Sequence, residues 1–403
     1  MEPEIKIQNF TYVLPEEKIA KYPLASRDDS KILIFKDNLI SESKFSNLSH
    51  YIPDNSLMIF NNTRVVPARL FFKKHSGAHI EVFCIEPESP ADYARSFEST
   101  EKCAWSCVIG NSKKWKDDEI LFDTHTHNEL SVYNLKAKRL SNNGDTSIVE
   151  FSWSGGISFA QIMELCGKVP IPPYLNRESE ESDKERYQTL YAKFRGSVAA
   201  PTAGLHFTDN VIKSLDNKGI QREELSLHVG TGTFKPVKTE LIKDHSMHSE
   251  PFSVSLKFLK SLRDCIGSKS VVSVGTTSAR TLESLYYIGV RCMEGESPAD
   301  VDQWEPYGRV FNVSPKDSIN AVCKWMESNN ISTLEGRTRI IIVPGYEFKI
   351  TDALLTNFHQ PSSTLLLLIA AFVGENWREI YNYALRNNFR FLSYGDSSLL
   401  FRK

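Results

Sequence analysis

Residues 196 to 208 read Gly196-Ser-Val-Ala-Ala-Pro-Thr202-Ala203-Gly204-Leu-His206-Phe-Thr208, a run of small side chains whose one ionisable group is an imidazole. Small residues let backbone N–H groups approach a ligand, and a histidine among them exchanges a proton near neutral pH. Beyond the run, Thr208 suits a helix N-cap, Val211, Ile212 and Leu215 recur at helical spacing, and Gly219 suits the helix end. The spacing predicts a loop that opens onto the positive end of a helix, where anionic groups are favoured. The competing reading is a buried connector with a core histidine.

Five further clusters carry candidate chemistry. Ser226-Leu-His228-Val-Gly230-Thr231-Gly232-Thr233 places a histidine at a strand end before a flexible turn whose amides and hydroxyls suit a carboxylate or ribose hydroxyls. The third glycine and the following helix of a dinucleotide fingerprint are missing. Val274-Gly275-Thr276-Thr277-Ser278-Ala-Arg280 falls between a strand and a helix, where α/β proteins hold ligands, and Arg280 suits a carboxylate or phosphate. Thr356-Asn357-Phe-His359 and Ser393-Tyr394-Gly-Asp396 repeat the arrangement. Asp244-His245-Ser-Met-His248-Ser-Glu250 sets two imidazoles three apart, half of a zinc site, but no His-Glu-x-x-His pattern accompanies it.

The elements that must position these clusters follow from patterning. From residue 69 to about 151 short apolar or alternating runs (79–85, 104–109, 119–122) are separated by turn residues, with Asn142-Asn-Gly144-Asp as a tight turn, which predicts a small β-barrel or sandwich. Afterwards strands alternate with helices: 271–274 then 277–287, and 339–343 before a buried helix over 365–373 opened by Pro361-Ser-Ser363. With the strand over 56–60, this predicts a discontinuous α/β domain, 1–62 and 152–403, interrupted by an inserted β-barrel domain over 63–151. Residues 294–307 read as an exposed excursion.

Composition narrows the function. The 403 residues are 41% hydrophobic and 24% charged, an ordinary soluble balance. Forty-eight basic against fifty acidic residues, net charge −2, exclude a polycationic nucleic-acid coat, so an RNA partner must meet a local patch. The candidates are Lys113, Lys114 and Lys116 around Trp115, then Lys73 and Lys74, and Arg386, Arg390, Arg402 and Lys403. Seven scattered cysteines and no signal-peptide pattern fit a reducing cytoplasm, and no stretch approaches the ~20 apolar residues of a membrane span.

The chain resembles the S-adenosylmethionine:tRNA ribosyltransferase-isomerase family of queuosine biosynthesis from Leu14-Pro-Glu-Glu-Lys-Ile-Ala-Lys-Tyr-Pro-Leu24 to Ser393-Tyr-Gly-Asp396. The shared segments include Asn61-Asn-Thr-Arg-Val-Val-Pro-Ala-Arg69, Pro172-Pro-Tyr174, Asp183-Lys-Glu-Arg-Tyr-Gln188, the Gly196 run, and those around 227–237, 245–250, 275–284 and 356–359. Asn62 departs from a usual Asp, Thr231 from a small Ala or Ser, Ala353 from Gly, and Gln360 from Leu. The resemblance implies an α/β domain interrupted by a β-barrel. It also implies transfer of the ribosyl part of S-adenosylmethionine, rearranged to an epoxycyclopentanediol, onto 7-aminomethyl-7-deazaguanine in the tRNA wobble position, with loss of adenine and methionine. No metal or other cofactor is called for, since S-adenosylmethionine is consumed as co-substrate.

That chemistry asks for a base at the carbon beside the sulfonium and an acid for departing adenine. His206 and His228 lead the candidates, followed by His245 and His248, with Asp396 and Glu250 as orienting carboxylates. Arg64, Arg69 and Arg280 suit anion anchors, because a guanidinium hardly deprotonates. Two other readings compete: a divergent relative that binds or modifies another nucleic acid, and a metal hydrolase built on His245 and His248.

Overall fold

The computed structural model describes residues 3–74, 76–116, 119–123, 130–230, 237–298 and 300–402. Its strands are β1 (Lys31–Lys36), β2 (Leu39–Lys44), β3 (Ser56–Asn61), β4 (Thr63–Val65), β5 (Arg69–Lys73), β6 (His79–Ser89), β7 (Lys102–Gly110), β8 (Ile120–Asp123), β9 (Lys136–Asn142), β10 (Ser147–Ser152), β11 (Phe194–Ser197), β12 (Gln221–Leu227), β13 (Glu250–Ser255), β14 (Ser270–Val274), β15 (Thr333–Thr338), β16 (Ala353–Asn357) and β17 (Ser397–Phe401). Nine of them form one sheet in the order β15-β13-β12-β3-β14-β16-β17-β1-β2, and β5 to β10 close a six-stranded barrel. The expected α/β architecture with an inserted barrel is therefore present.

Within the large sheet β12, β3, β14 and β16 run parallel. All six residues of β3 are buried, as expected of a strand covered on both faces. Its alternation divides the core. Leu57 and Ile59 pack with the helices Leu256–Cys265, Thr276–Met293 and Pro315–Ser328 on one face, while Met58 and Phe60 pack with Phe45, Phe207, Val211 and Leu215 on the other. Successive strand side chains point to opposite faces, so one apolar run feeds two cores.

The barrel is filled by inward positions of short alternating strands, among them Leu70, Phe72, Val82, Trp105 and Phe151, each 1% exposed or less. The 142–145 turn forms as expected, with Gly144 at φ 83° and the Asn143 amide donating to the Thr146 carbonyl at 2.8 Å. Of the basic groups, Lys74 pairs with Glu119 at 2.8 Å, and Trp115 is buried under Arg139. Arg390 and Arg402 donate to backbone carbonyls, so they are structural rather than parts of a free patch. Lys403 lies outside the described residues.

Two expectations are corrected together. Residues 340–343 are buried, but 339–343 form no strand, because amides there bond to the 294–307 excursion: Arg339 N–H to Val301 O at 2.9 Å, Ile341 N–H to Gln303 O at 3.3 Å, and Val343 N–H to the Tyr307 hydroxyl at 3.0 Å. The excursion is accordingly folded back on the core from Val301, which is fully buried. The helix over 365–373 is the expected one, Thr364–Val373 capped by Ser363. Among the described residues no helix is long and apolar enough to cross a membrane.

Candidate active site

The four parallel strands all end on one side, and ligands of open α/β sheets bind beyond such carboxyl ends. Beyond β12, β14 and β16 the chain enters Val229, Gly275-Thr276-Thr277 and Phe358-His359-Gln360. Together with Ala200-Pro201-Thr202-Ala203, Tyr174 and Leu392-Ser393 these line a cleft at the strand ends. Its lining is hydroxyl, amide and apolar apart from the His359 imidazole, with no Asp, Glu, Lys or Arg among the described residues.

Glycine is required where the cleft meets the helix Thr276–Met293. Gly275 sits at φ 89°, a backbone that L side chains rarely adopt. No side chain caps the helix, so its first amides face outward with the positive end of the dipole. The Thr277 hydroxyl beside them is buried and has no partner among the described residues. A buried hydroxyl without a partner is costly, and a ligand hydroxyl or ring nitrogen would satisfy it. The helix Asp209–Asn217 is capped by Thr208 as expected, but its start borders a separate groove that holds Arg64, so the anion-favouring terminus at the cleft belongs to the other helix.

The cleft gathers Thr202, Ala203, Thr276, Thr277, Asn357 and His359 from the sequence candidates. The His359 ring bonds through Nε2 to the Thr356 hydroxyl at 2.9 Å, and burial holds its basicity down at about 3, so it stands neutral in the wall. Its backbone is fixed separately: the amide donates to the Tyr381 hydroxyl at 3.0 Å and the carbonyl accepts from Tyr12.

His206 is placed differently. The Asn357 amide donates to its Nε2 at 3.2 Å, and its Nδ1–H then donates to Ser30 Oγ at 3.0 Å. Burial, helped by Arg390, pushes its basicity down to about 3. Both nitrogens are engaged behind the cleft wall, the bonding of a core histidine. Asp396 likewise accepts the backbone amides of Lys31 at 2.9 Å and Arg390 at 2.7 Å, and burial pushes its carboxyl up. Ser278 donates to Val274 O at 2.8 Å inside the helix. Gly204 lies so close to Tyr191 that a Cβ would come within 1.9 Å of its hydroxyl. Tyr394 donates to Asp183 at 2.8 Å, and Arg69 pairs with Glu81 at 2.5 Å on the barrel. None of these reaches the cleft.

A second, charged hollow adjoins the cleft through Leu365, which lines both. His248 and Arg280 face it. Glu250, fully buried, joins them: Oε1 lies 3.1 Å from His248 Nε2 and Oε2 accepts from Arg280 Nη1. Burial pushes the Glu250 carboxyl up, but Arg280 and His248 outweigh it and hold it down at about 2. Gly230 donates its amide to the same carboxylate at 3.4 Å. Thr231, Gly232 and Thr233 lie outside the described residues. His228 points away, onto the barrel, and burial takes its basicity down to about 4. Among the described residues no three His, Cys, Asp or Glu side chains come together to hold a metal ion.

Sequence reasoning gave no role to Tyr174, whose hydroxyl bonds to Ser393 of the 393–396 segment at 2.5 Å in the cleft wall. The available signal was that Pro172-Pro-Tyr174 is a shared motif without an assigned part.

The chain matches the family described as Queuosine biosynthesis protein over residues 7–400. It is 36% identical over 405 residues to S-adenosylmethionine:tRNA ribosyltransferase-isomerase of Halothermothrix orenii, covering 98% of this chain and all of that one. It is 35% identical over 401 residues to the protein of that name in Francisella tularensis subsp. novicida, with 98% and 100% covered. The crystal structure of S-adenosylmethionine tRNA ribosyltransferase from Thermotoga maritima aligns with a TM-score of 0.46 at 26% identity, covering 97% of this chain and 99% of that one. The chain belongs to the queuosine biosynthesis protein family.

Proposed function

We propose that this protein transfers the ribosyl part of S-adenosylmethionine, with isomerisation, to the aminomethyl group of 7-aminomethyl-7-deazaguanine at the wobble position of tRNA, giving epoxyqueuosine tRNA. The observation that carries the reading is the family match across residues 7–400, and the site has a suitable form. An uncharged cleft of hydroxyls, amides and apolar side chains suits adenine and ribose.

The sulfonium acidifies the neighbouring 5′ carbon. A base takes that proton, adenine leaves as a proton reaches its ring, the tRNA amine gives up a proton as it forms the new C–N bond, and methionine departs with the C–S electron pair as the ribosyl carbons close the carbocycle and its epoxide. His359, neutral and in the cleft wall, is the imidazole we assign to proton exchange. Thr277 and the amides at the start of Thr276–Met293 hold ribose or adenine polar atoms. His206 and Asp396 keep the walls in place. No cofactor beyond the consumed S-adenosylmethionine is needed, and the cytoplasm, where tRNA is found, is the expected compartment.

The test is to incubate the protein with S-adenosylmethionine and an anticodon-arm RNA carrying 7-aminomethyl-7-deazaguanine, and to follow adenine, methionine and RNA mass together. Release of both with a mass gain on the RNA is the expected result. RNA bound without release of adenine would overturn the reading.

A further inference from the structure

Arg280 lies at the bottom of the charged hollow and is only 5% exposed. Nε donates to Ile340 O at 3.2 Å and Nη1 is committed to Glu250, but Nη2 has no partner among the described residues. Leaving a buried guanidinium nitrogen unbonded costs more than leaving a neutral donor so, and the two engaged nitrogens fix the direction of the third. Arg280 lines the hollow together with His248 and with Thr364 and Leu365 from the start of the helix Thr364–Val373, whose positive end adds to the field. Glu250 occupies Nη1, and Nη2 is left without an acceptor among the described residues.

We infer that this hollow is a carboxylate subsite in which Arg280 Nη2, flanked by His248 and the start of the helix Thr364–Val373, binds the α-carboxylate of the methionine part of S-adenosylmethionine. The inference rests on the proposed function for the identity of the ligand. Neutral cleft and charged hollow meet at Leu365, so one molecule with a nucleoside end and an amino-acid end spans them. Glu250 does not contact the ligand carboxylate. It holds the guanidinium in place, with one oxygen on Arg280 and the other near His248.

The test compares S-adenosylmethionine with its decarboxylated analogue by calorimetric titration of the intact protein, with and without the anticodon-arm RNA. Because the change is in the ligand, folding is not at issue. The analogue is expected to bind about 10- to 100-fold more weakly, the loss of a charge-assisted hydrogen bond. In Arg280→Lys, which keeps a positive charge for Glu250 and removes the fork, that discrimination is expected to fall to within a few-fold, with a thermal melt as the folding control. Equal binding of the two compounds by wild type overturns the subsite, as does binding of neither. Discrimination retained by folded Arg280→Lys removes Arg280 from it. A wild-type protein that discriminates but releases no adenine on RNA refutes the proposed function while leaving the carboxylate subsite standing.

Discussion

The imidazole of His228 lies flat on the ring of Tyr93, the centroids 4.3 Å apart and the planes 9° from parallel. His228 follows β12 in the large sheet, and Tyr93 begins the helix Tyr93–Glu98 of the barrel segment. A second link runs alongside, where Arg337 of β15 donates to both oxygens of Glu86 in β6, at 2.5 and 3.1 Å. Together they fix the barrel against the sheet edge next to the cleft.

Gly196 is the tolerance point of this junction. It has φ 142°, and a Cβ there would lie 2.5 Å from His228 Nδ1 and 2.9 Å from Tyr93. Gly196→Ala is therefore strained in its backbone and forces the stack apart, a cost of about 1 to 3 kcal/mol. Urea unfolding should show the loss. An unchanged midpoint would mean that the stack relaxes freely.

The buried histidines set an acid limit on stability. His206 is held at about 3 against an ordinary 6.5, so below pH 6.5 the unfolded chain takes up a proton that the folded chain refuses. This contribution is complete above pH 6.5 and lost as pH falls from 6.5 toward 3, at up to about 1.4 kcal/mol per pH unit. His206→Gln should flatten the acid limb of midpoint against pH by that slope. Parallel curves for the two proteins would show that His206 titrates normally.

The placement of the polar segments after β14 and β16 at strand ends, where they line the cleft, was legible because the pattern of strand, small or hydroxyl residues, then helix has a direct physical reason. The role of His206 was not. An imidazole in a run of small residues is compatible with either a site or a core, and the decision depends on Ser30 and Asn357, 176 and 151 residues away. Likewise 339–343 has the β-branched composition of a strand, yet its amides go to 301–307, a partner that local pattern does not reveal.

Asp183 shows a buried charge that is fully paired. At 1% exposure it accepts Arg177 through both oxygens, at 2.7 and 2.8 Å, the Glu180 amide at 2.8 Å and the Tyr394 hydroxyl at 2.8 Å. Asp183→Ala strands these donors together, which should cost about 3 to 5 kcal/mol. Tyr394→Phe removes one donor and leaves the ion pair, so about 1 kcal/mol is expected. Chemical denaturation of both variants tests the ranking. Equal losses would place the energy in the tyrosine instead of the carboxylate.

His359 and His206 offer the sharpest contrast in activity. The His359 backbone is held by Tyr381 and Tyr12 independently of its ring, so His359→Ala should leave the loop and the unfolding midpoint nearly unchanged. If its imidazole exchanges the proton in the cleft, kcat for adenine release should fall about 10²- to 10⁴-fold while KM for S-adenosylmethionine changes little. His206→Gln should do the reverse, losing stability but retaining kcat to within several-fold in the protein that remains folded. Rates measured at a temperature where both variants are folded decide between them. A His359→Ala enzyme with wild-type kcat would move the proton exchange to another group, and a crippled but stable His206→Gln would return it to the imidazole behind the wall.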